Sequence, residues 1–509
     1  MVANSLWNFA TFAASALLGF FSVRLFIQHL GLSQYGLLAL LNTLIAPLGL
    51  LNFGLGQATV KFVAENLGRG DAAAAARHLQ NTLLFNLVVG VVGATIMVLS
   101  AGVLSRDVFK VAAEDQALLS TAIHWTAVTW VVTQVSLTFT AVPTAQQNYR
   151  VVSMGTMLFS TMSMAFSLLV LVFGGGLVDV VKVRFVWSLC GLVGWAWCAR
   201  VSLPEASLWP AYDRAAFRQG FGFGVWQTLA QVGGIFANQA DRFLLGAYIS
   251  TDAVGLFNVP TIFFVTSYSA VSKLSETLFP AFSALEGHGD REKLVQTLLR
   301  AGWLLTLLMV AVQSTLTVFA PDVLRLYMGH AMGAEVVQVL RISAFVAVIS
   351  APSLVVLQYV FGIGGTRWIA AMAISSGLIN FSGGLILVPR LGLAGAAWSD
   401  LIAIVGTRPL IHYFIWRRHL SDVVTAKVFF RRLYGASLVG IPLTLALTVA
   451  REQVPEWQPG WISLPLGAAG VAIFVIGAVL VVELLRPNPS QGLADIRMLF
   501  RRLILKLAR

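Results

Sequence analysis

Apolar runs of eighteen or more residues recur from one end of the chain to the other. A run of that length is what an α-helix needs to cross a bilayer. They predict fourteen spans, near 7–28, 35–58, 80–103, 117–142, 152–174, 181–200, 217–247, 253–282, 297–320, 336–361, 367–388, 392–416, 433–450 and 462–485, with spans seven and eight the least apolar. No hydrophilic stretch between them is long enough for a separate soluble domain. The first run follows an N-terminus with no basic region and no small-residue cleavage site, so it reads as a retained helix and not a signal peptide. The predicted fold class is all-α, a polytopic membrane protein.

Composition supports this pattern. Hydrophobic residues make up 58% and charged residues 11% of the 509-residue chain, where a soluble protein carries about 25% charged residues. The net charge of +12 suggests nucleic acid at first sight, but membrane proteins concentrate Lys and Arg in cytoplasmic loops, so no nucleic-acid partner is expected. With the N-terminus inside, the inner loops and tail hold 22 of the 34 basic residues, the outer loops 7 and the spans 5. That asymmetry predicts an even number of spans with both termini cytoplasmic. The basic tail from Arg486 is expected to lie along the anionic inner leaflet. Cys190 and Cys198 fall in one apolar segment and suggest neither a disulfide framework nor a metal site.

An offset of 219 residues aligns two features. Gly36-Leu37 meets Gly255-Leu256, and Gly68-x-Gly70-Asp71 meets Gly287-x-Gly289-Asp290. In each half the first feature opens an even-numbered span and the second is the cytoplasmic loop after it. The layout implied is two repeat-related six-helix lobes, 1–210 and 211–418, then two C-terminal helices at 419–486 and a basic tail at 487–509. Transporters are often built from such repeats, with the substrate path between them. Chance similarity between membrane hairpins is the plainer alternative.

With basic residues at the outermost positions of a span counted with the adjoining loop, five fall within spans: Arg24, Arg242, Lys273, Arg341 and Arg408, with Asp241, Glu276 and Asp400 among the acidic ones. A charge at a helix centre costs at least about 2.5 kcal/mol and should face a cavity or a partner. Arg242, Arg408 and Asp400 lie near span ends, where snorkelling is the plainer explanation. Helical spacing groups the others. Span 1 carries Asn4, Asn8, Thr11, Ser15 and Ser22 on one face, with Arg24 near it. Span 2 carries Asn42, Gly49, Asn52 and Gly56. Span 7 carries Gln227, Gln231, Asn238 and Asp241, and span 8 carries Thr266, Ser269, Lys273 and Glu276. Span 4 has a hydroxyl stripe, Thr129, Thr133, Ser136 and Thr140, which suits helix packing. The stripes of spans 1, 7 and 8 contain amides and full charges, which packing does not need, so a hydrated cavity is expected there. Lys273 and Glu276, at i and i+3, are placed to pair when no substrate is present. An anionic substrate would take Lys273 from Glu276, and Arg24 would supply a second cation. Asp241 beside Asn238 offers hard oxygens for Na+ or H+ coupling. No other cofactor and no metal are expected.

The segment Leu30-Gly-Leu-Ser-Gln-Tyr-Gly-Leu37, with Leu50-Leu-Asn-Phe-Gly-Leu-Gly-Gln-Ala58 and Lys61-Phe-Val-Ala-Glu65, resembles the opening of the polysaccharide-type flippases of the multidrug/oligosaccharidyl-lipid/polysaccharide exporter superfamily. Asn238-Gln-Ala-Asp-Arg-Phe-Leu-Leu-Gly246 with Val254-Gly-Leu-Phe257 is similar to that family's start of the second lobe, and Val388-Pro-Arg-Leu-Gly-Leu-Ala-Gly-Ala-Ala397 to its turn into span 12. The resemblance covers nearly the whole chain. It implies fourteen spans, alternating access, a bacterial inner-membrane location and transfer of undecaprenyl-pyrophosphate-linked sugars from the cytoplasmic to the periplasmic leaflet. Partners would be the lipid-linked oligosaccharide, membrane lipids and polysaccharide assembly proteins.

Three readings compete with this one. Lipid II flippases share a basic residue late in span 1 and a basic/acidic pair in span 8, matched by Arg24, Lys273 and Glu276. They also tend to carry an arginine in span 2, where this chain has only Asn42, Asn52 and Gln57. An ion-coupled multidrug exporter of the same superfamily would have twelve spans and an acidic, aromatic cavity. A membrane glycosyltransferase needs an acidic surface loop, and the longest outer loop offers only Asp322 and Glu335, too little for a catalytic constellation.

Overall fold

The computed structural model describes residues 2–52, 55–109, 111–146, 148–203, 209–217, 234, 239–276, 278–287, 289–363, 365–454, 460 and 462–485. Among the described residues there are helices and turns and no strand. Nine of the described helices are long and apolar enough to cross a membrane. The chain divides into two compact units, Met1–Asn258 and Val259–Arg509.

The first unit opens with α1 (Val2–Leu48), which runs through predicted span 1 and into span 2 and breaks at Gly31 (φ 76°, ψ 170°). Span 2 was expected as one helix over 35–58, and this is corrected. Helix α1 stops at Leu48, Gly49–Asn52 is a 3-10 turn, and α2 (Leu55–Gly68) follows. The reason is local: Pro47 cannot donate to the carbonyl one turn back, and glycines at 49, 54 and 56 make helix expensive. The stripe Asn42, Gly49, Asn52, Gly56 is therefore interrupted. Then come α3 (Ala72–Val103), extended by a π turn over Leu104–Val108, α4 (Ala113–Ala145), α5 (Tyr149–Val172) and α6 (Leu177–Ser202). Residues 239–248 are helical.

Helix α4 packs along both α3 and α6. Leu79, Leu83, Phe139, Val142, Trp195 and Ala199 fill the apolar seam. Polar pairs sit inside it: Thr59 with Thr82 (2.6 Å) and Asn86 with Thr138 (2.8 Å). The hydroxyls of span 4 bond their own helix, Thr129 to the Trp125 carbonyl and Thr133 to the Thr129 carbonyl, which fits a packing role. Leu99 and Val193 are 77% and 68% exposed, the arrangement expected where the surrounding solvent is lipid.

The second unit takes in most of α7 (Thr251–Glu276) and then α8 (Leu278–Gly287), α9 (Arg291–Val318), α10 (Ala320–Met328), α11 (Ala334–Gly362), α12 (Thr366–His419), α13 (Ala426–Glu452) and α14 (Ser463–Leu484). Helix α12 breaks at Gly392 (φ 57°). Its two halves pair through Ser376–Thr407 and Asn380–Ser399, each 2.8 Å. Helix α11 is the most buried of the candidate spans, and α14 is among the least. Ion pairs lie at helix ends: Arg451 grips Asp322 through both oxygens (3.0 and 2.9 Å), Arg341 meets Glu452 (2.7 Å) and Arg291 meets Asp422 (2.5 Å).

Both halves of the repeat have the same local geometry. Helix α2 ends with Gly70 at φ 75° and α8 with Gly289 at φ 70°. In the first loop Gly70 N–H donates to the Leu67 carbonyl and Asp71 N–H to the Asn66 carbonyl. In the second, Gly289 N–H donates to Glu286 and Asp290 N–H to Leu285. This is the helix-terminating pattern that needs a left-handed residue, where glycine meets no steric penalty. The same aspartate then caps the next helix: Asp71 accepts from Ala74 N–H (2.8 Å) and Asp290 from Lys293 N–H (3.1 Å). Every one of these partners is related by the offset of 219.

The other repeat feature is a contact. Gly36 and Gly255 face each other where α1 crosses the start of α7. A Cβ on Gly36 would run into the Thr251 carbonyl oxygen, and one on Gly255 would stand 2.6 Å from that of Leu32. Ser33 and Thr251 hydroxyls bond across the same crossing (3.2 Å). This crossing ties the first turns of α7 to the first unit.

Candidate functional site

In the second unit, Lys273 and Glu276 pair as their spacing predicts. Lys273 Nζ donates to both carboxylate oxygens, at 2.8 and 3.0 Å. The side chains are 40% and 52% exposed. Ser269 lies one turn earlier on α7 and is half-buried. Ser267, on the same helix, accepts from Gln313 of α9 (2.9 Å), fixing α7 against its neighbour.

In the first unit, the break at Gly31 lets the two arms of α1 diverge around a cavity of about 320 Å³. Ser22, Val23 and Phe26 line it before the break, and Tyr35, Leu38, Ala39 and Asn42 after it; Met164, Arg184, Gln239, Arg242 and Asn258 complete the wall. Arg24, half-buried, belongs to the same arm as Ser22. Asn42 accepts from Arg184 Nη1 (3.4 Å), and Asn258 accepts from Arg242 Nε (2.7 Å). Thr43 donates to Gln239 (3.4 Å). Asp241 is buried and within electrostatic range of its neighbour Arg242. Asn52, expected to line a cavity, accepts from Gln134 of α4 (2.8 Å). The side chains of Asn8 and Ser15, and residues Gln227, Gln231 and Asn238, lie outside the described residues.

Two features escaped the sequence reading. Arg184 was counted with an outer loop but belongs to the second turn of α6, where its guanidinium reaches the cavity. Nothing in loop counting distinguishes it. His412 is fully buried and ties α12 to α13 through Tyr434 (2.8 Å) and to α11 through Ser353 (3.2 Å). Its only sequence signal is a histidine one turn from Arg408 inside an apolar span.

A second polar cavity, about 340 Å³, lies at the ends of α2 and α3 and includes Glu65, Arg69, Arg77, His78 and Asp213. Its charges are largely matched, with Arg69 on Glu65 at 2.7 Å. The N–H of Ala216, and after it that of Ala215, holds the Asp213 carboxyl below the usual aspartate range. Asp322, assigned from the sequence to the longest outer loop, lies in the first turn of α10 and is buried against Arg451.

The all-helical fold is shared with solved structures of membrane transporters. The structure resembles a lipid II flippase, MurJ, in an inward-closed conformation, with a TM-score of 0.71 and 12% identity, over 96% of this chain and 100% of that one. It also resembles an inward-facing multidrug resistance MATE family transporter of the MOP superfamily (TM-score 0.66, 15% identity, 81% of this chain and 98% of that one). A third likeness is to a MOP superfamily transporter from Pyrococcus furiosus (TM-score 0.57, 16% identity, 83% and 96%). At these identities the likeness is one of fold. The chain belongs to the family described as polysaccharide biosynthesis proteins, whose sequence profile matches residues 29–337, more than half its length. No curated protein matches the chain in sequence.

Proposed function

We propose that the chain is a flippase that moves a polyprenyl-pyrophosphate-linked oligosaccharide across the bacterial cytoplasmic membrane by alternating access, for surface polysaccharide biosynthesis. The observation that carries this reading is the half-exposed Lys273–Glu276 pair on a membrane helix. A cation paired with an exposed carboxylate is open to capture by a more highly charged anion, because such a pair is worth only about 0–1 kcal/mol. Arg24 supplies a fork suited to phosphate oxygens. The diphosphate is held by these groups, hydroxyls and amides hydrate the sugars, and the lipid tail stays in the bilayer. Buried Asp241 is the coupling carboxylate for Na+ or H+. Both termini face the cytoplasm, and no group transfer is assigned to the chain.

Lys273→Ala and Arg24→Ala are each expected to abolish export of surface polymer while the protein stays in the membrane at wild-type level. Normal export by both would overturn the cation site. The fold likeness to MurJ keeps lipid II as a second substrate of the same chemistry, tested by rescue of cells depleted of their own lipid II flippase. A drug-susceptibility panel in a pump-deficient host tests the exporter reading.

A further inference from the structure

We propose that the cavity between the arms of α1 is a second anion site, in which Arg184 and Arg242 bind the phosphate of a lipid headgroup. Its lining residues all belong to the first unit, whereas Lys273 and Glu276 belong to the second. The cavity volume of about 320 Å³ falls in the range of ligand pockets, about 300–1,000 Å³.

Two guanidinium groups share this wall, and no carboxylate is among its described lining residues. Each charge placed in a membrane helix is costly, and two like charges on one cavity add repulsion. Each donates to an amide oxygen, Arg184 to Asn42 and Arg242 to Asn258, and the buried Asp241 beside Arg242 can offset no more than one of the two charges. A neutral amide orients a guanidinium without cancelling its charge. The Arg184–Asn42 contact, at 3.4 Å, is longer than the usual 2.7–3.2 Å of an N–H···O bond, so an incoming oxyanion displaces little. The buried Tyr35 hydroxyl lies within electrostatic range of both arginines.

The geometry selects a phosphoryl group. Two forks on different helices, with a phenol and amides between them, suit an anion that presents oxygens in several directions. A carboxylate offers two oxygens in one plane. Val23, Phe26, Leu38 and Met164 form an apolar side to the same space, which suits a ligand with a hydrocarbon chain. Two sources have this chemistry: a prenyl diphosphate and an anionic phospholipid of the bilayer. On the orientation predicted from loop charge, the cavity lies in the outer half of the membrane.

The test uses the full chain in nanodiscs, in an Arg24→Ala, Lys273→Ala background that removes the other proposed anion contacts. One arm titrates farnesyl diphosphate into phosphatidylcholine discs. The other counts phosphatidylglycerol retained by native mass spectrometry from mixed discs. Arg184→Gln is expected to weaken farnesyl diphosphate at least tenfold, or to remove the retained phosphatidylglycerol; the arm affected identifies the source. Arg184→Lys, which keeps charge without the fork, should recover part of the loss. Tyr35→Phe tests the same wall with minimal change in shape, and is expected to weaken the bound probe by about threefold, as loss of one modest hydrogen bond does. Binding of neither probe, or binding unchanged by Arg184→Gln and Tyr35→Phe, overturns the proposal. Binding is read and not export, so either result is separate from the flippase reading.

Discussion

Lys273 and Glu276 face each other across one turn of α7, and both remain exposed enough to be reached. Glu276 then competes with the substrate for Lys273, and its removal has a definite sign. Glu276→Gln should tighten farnesyl diphosphate binding up to about fivefold, the equivalent of a surface pair, when measured in the Arg184→Gln background. It should also slow export, because the headgroup then leaves more reluctantly. Weaker binding in Glu276→Gln would show that the carboxylate positions the lysine and does not compete for it. This pair was legible in the sequence because it is local: two charges three residues apart on a predicted helix can be placed without any tertiary knowledge. Arg184 was not legible for the opposite reason. Its cavity is assembled from positions 22, 35, 42, 184, 242 and 258, and nothing in their spacing along the chain links them. Arg242, expected to snorkel from a span end, has an amide partner and a place on the cavity wall.

The repeat offset of 219 finds its physical meaning at the level of whole helices. Two sequence fragments with loose similarity share the hydrogen bonds of Gly70/Gly289 and Asp71/Asp290 and the aspartate cap that follows, so the aligned glycines and aspartates mark a geometry and not a composition. The Gly36–Gly255 crossing is the stricter constraint. At both positions the obstruction to a side chain is backbone, which cannot rotate away. Gly36→Ala is therefore expected to cost about 1–3 kcal/mol, as overpacking does, seen as a lower melting temperature in detergent. Gly102→Ala is the matched control: Gly102 lies in α3, and a Cβ added there would have nothing within 4 Å, so alanine should be neutral or stabilising. Equal behaviour of the two variants would mean that the crossing relaxes freely. The helices themselves were readable from apolar run length, but the break after Leu48 was not. Run length averages over Pro47 and the nearby glycines, although each was visible in the sequence.

For the whole molecule the governing quantity is charge against membrane side. Basic residues outnumber acidic ones 34 to 22, and the predicted inner loops take most of them. The ion pairs respect a two-sided arrangement. Arg291 and Asp422 join loops predicted to be inside, while Asp322, Arg451 and Glu452 belong to loops predicted to be outside. An error of one span would place such partners on opposite faces, so the pairs support the span order read from hydropathy in this part of the chain. The side itself rests on loop charge, and labelling can decide it. In a chain with Cys190 and Cys198 replaced by alanine, a cysteine at Ala331 should react with a membrane-impermeant maleimide added to whole cells, and one at Ser421 should react only after the membrane is opened. Both positions are exposed, so failure to label reflects sidedness and not burial. The reverse pattern would invert the molecule: the Arg184–Arg242 cavity would move to the cytoplasmic half, and the phosphate it binds would belong to loading and not to release.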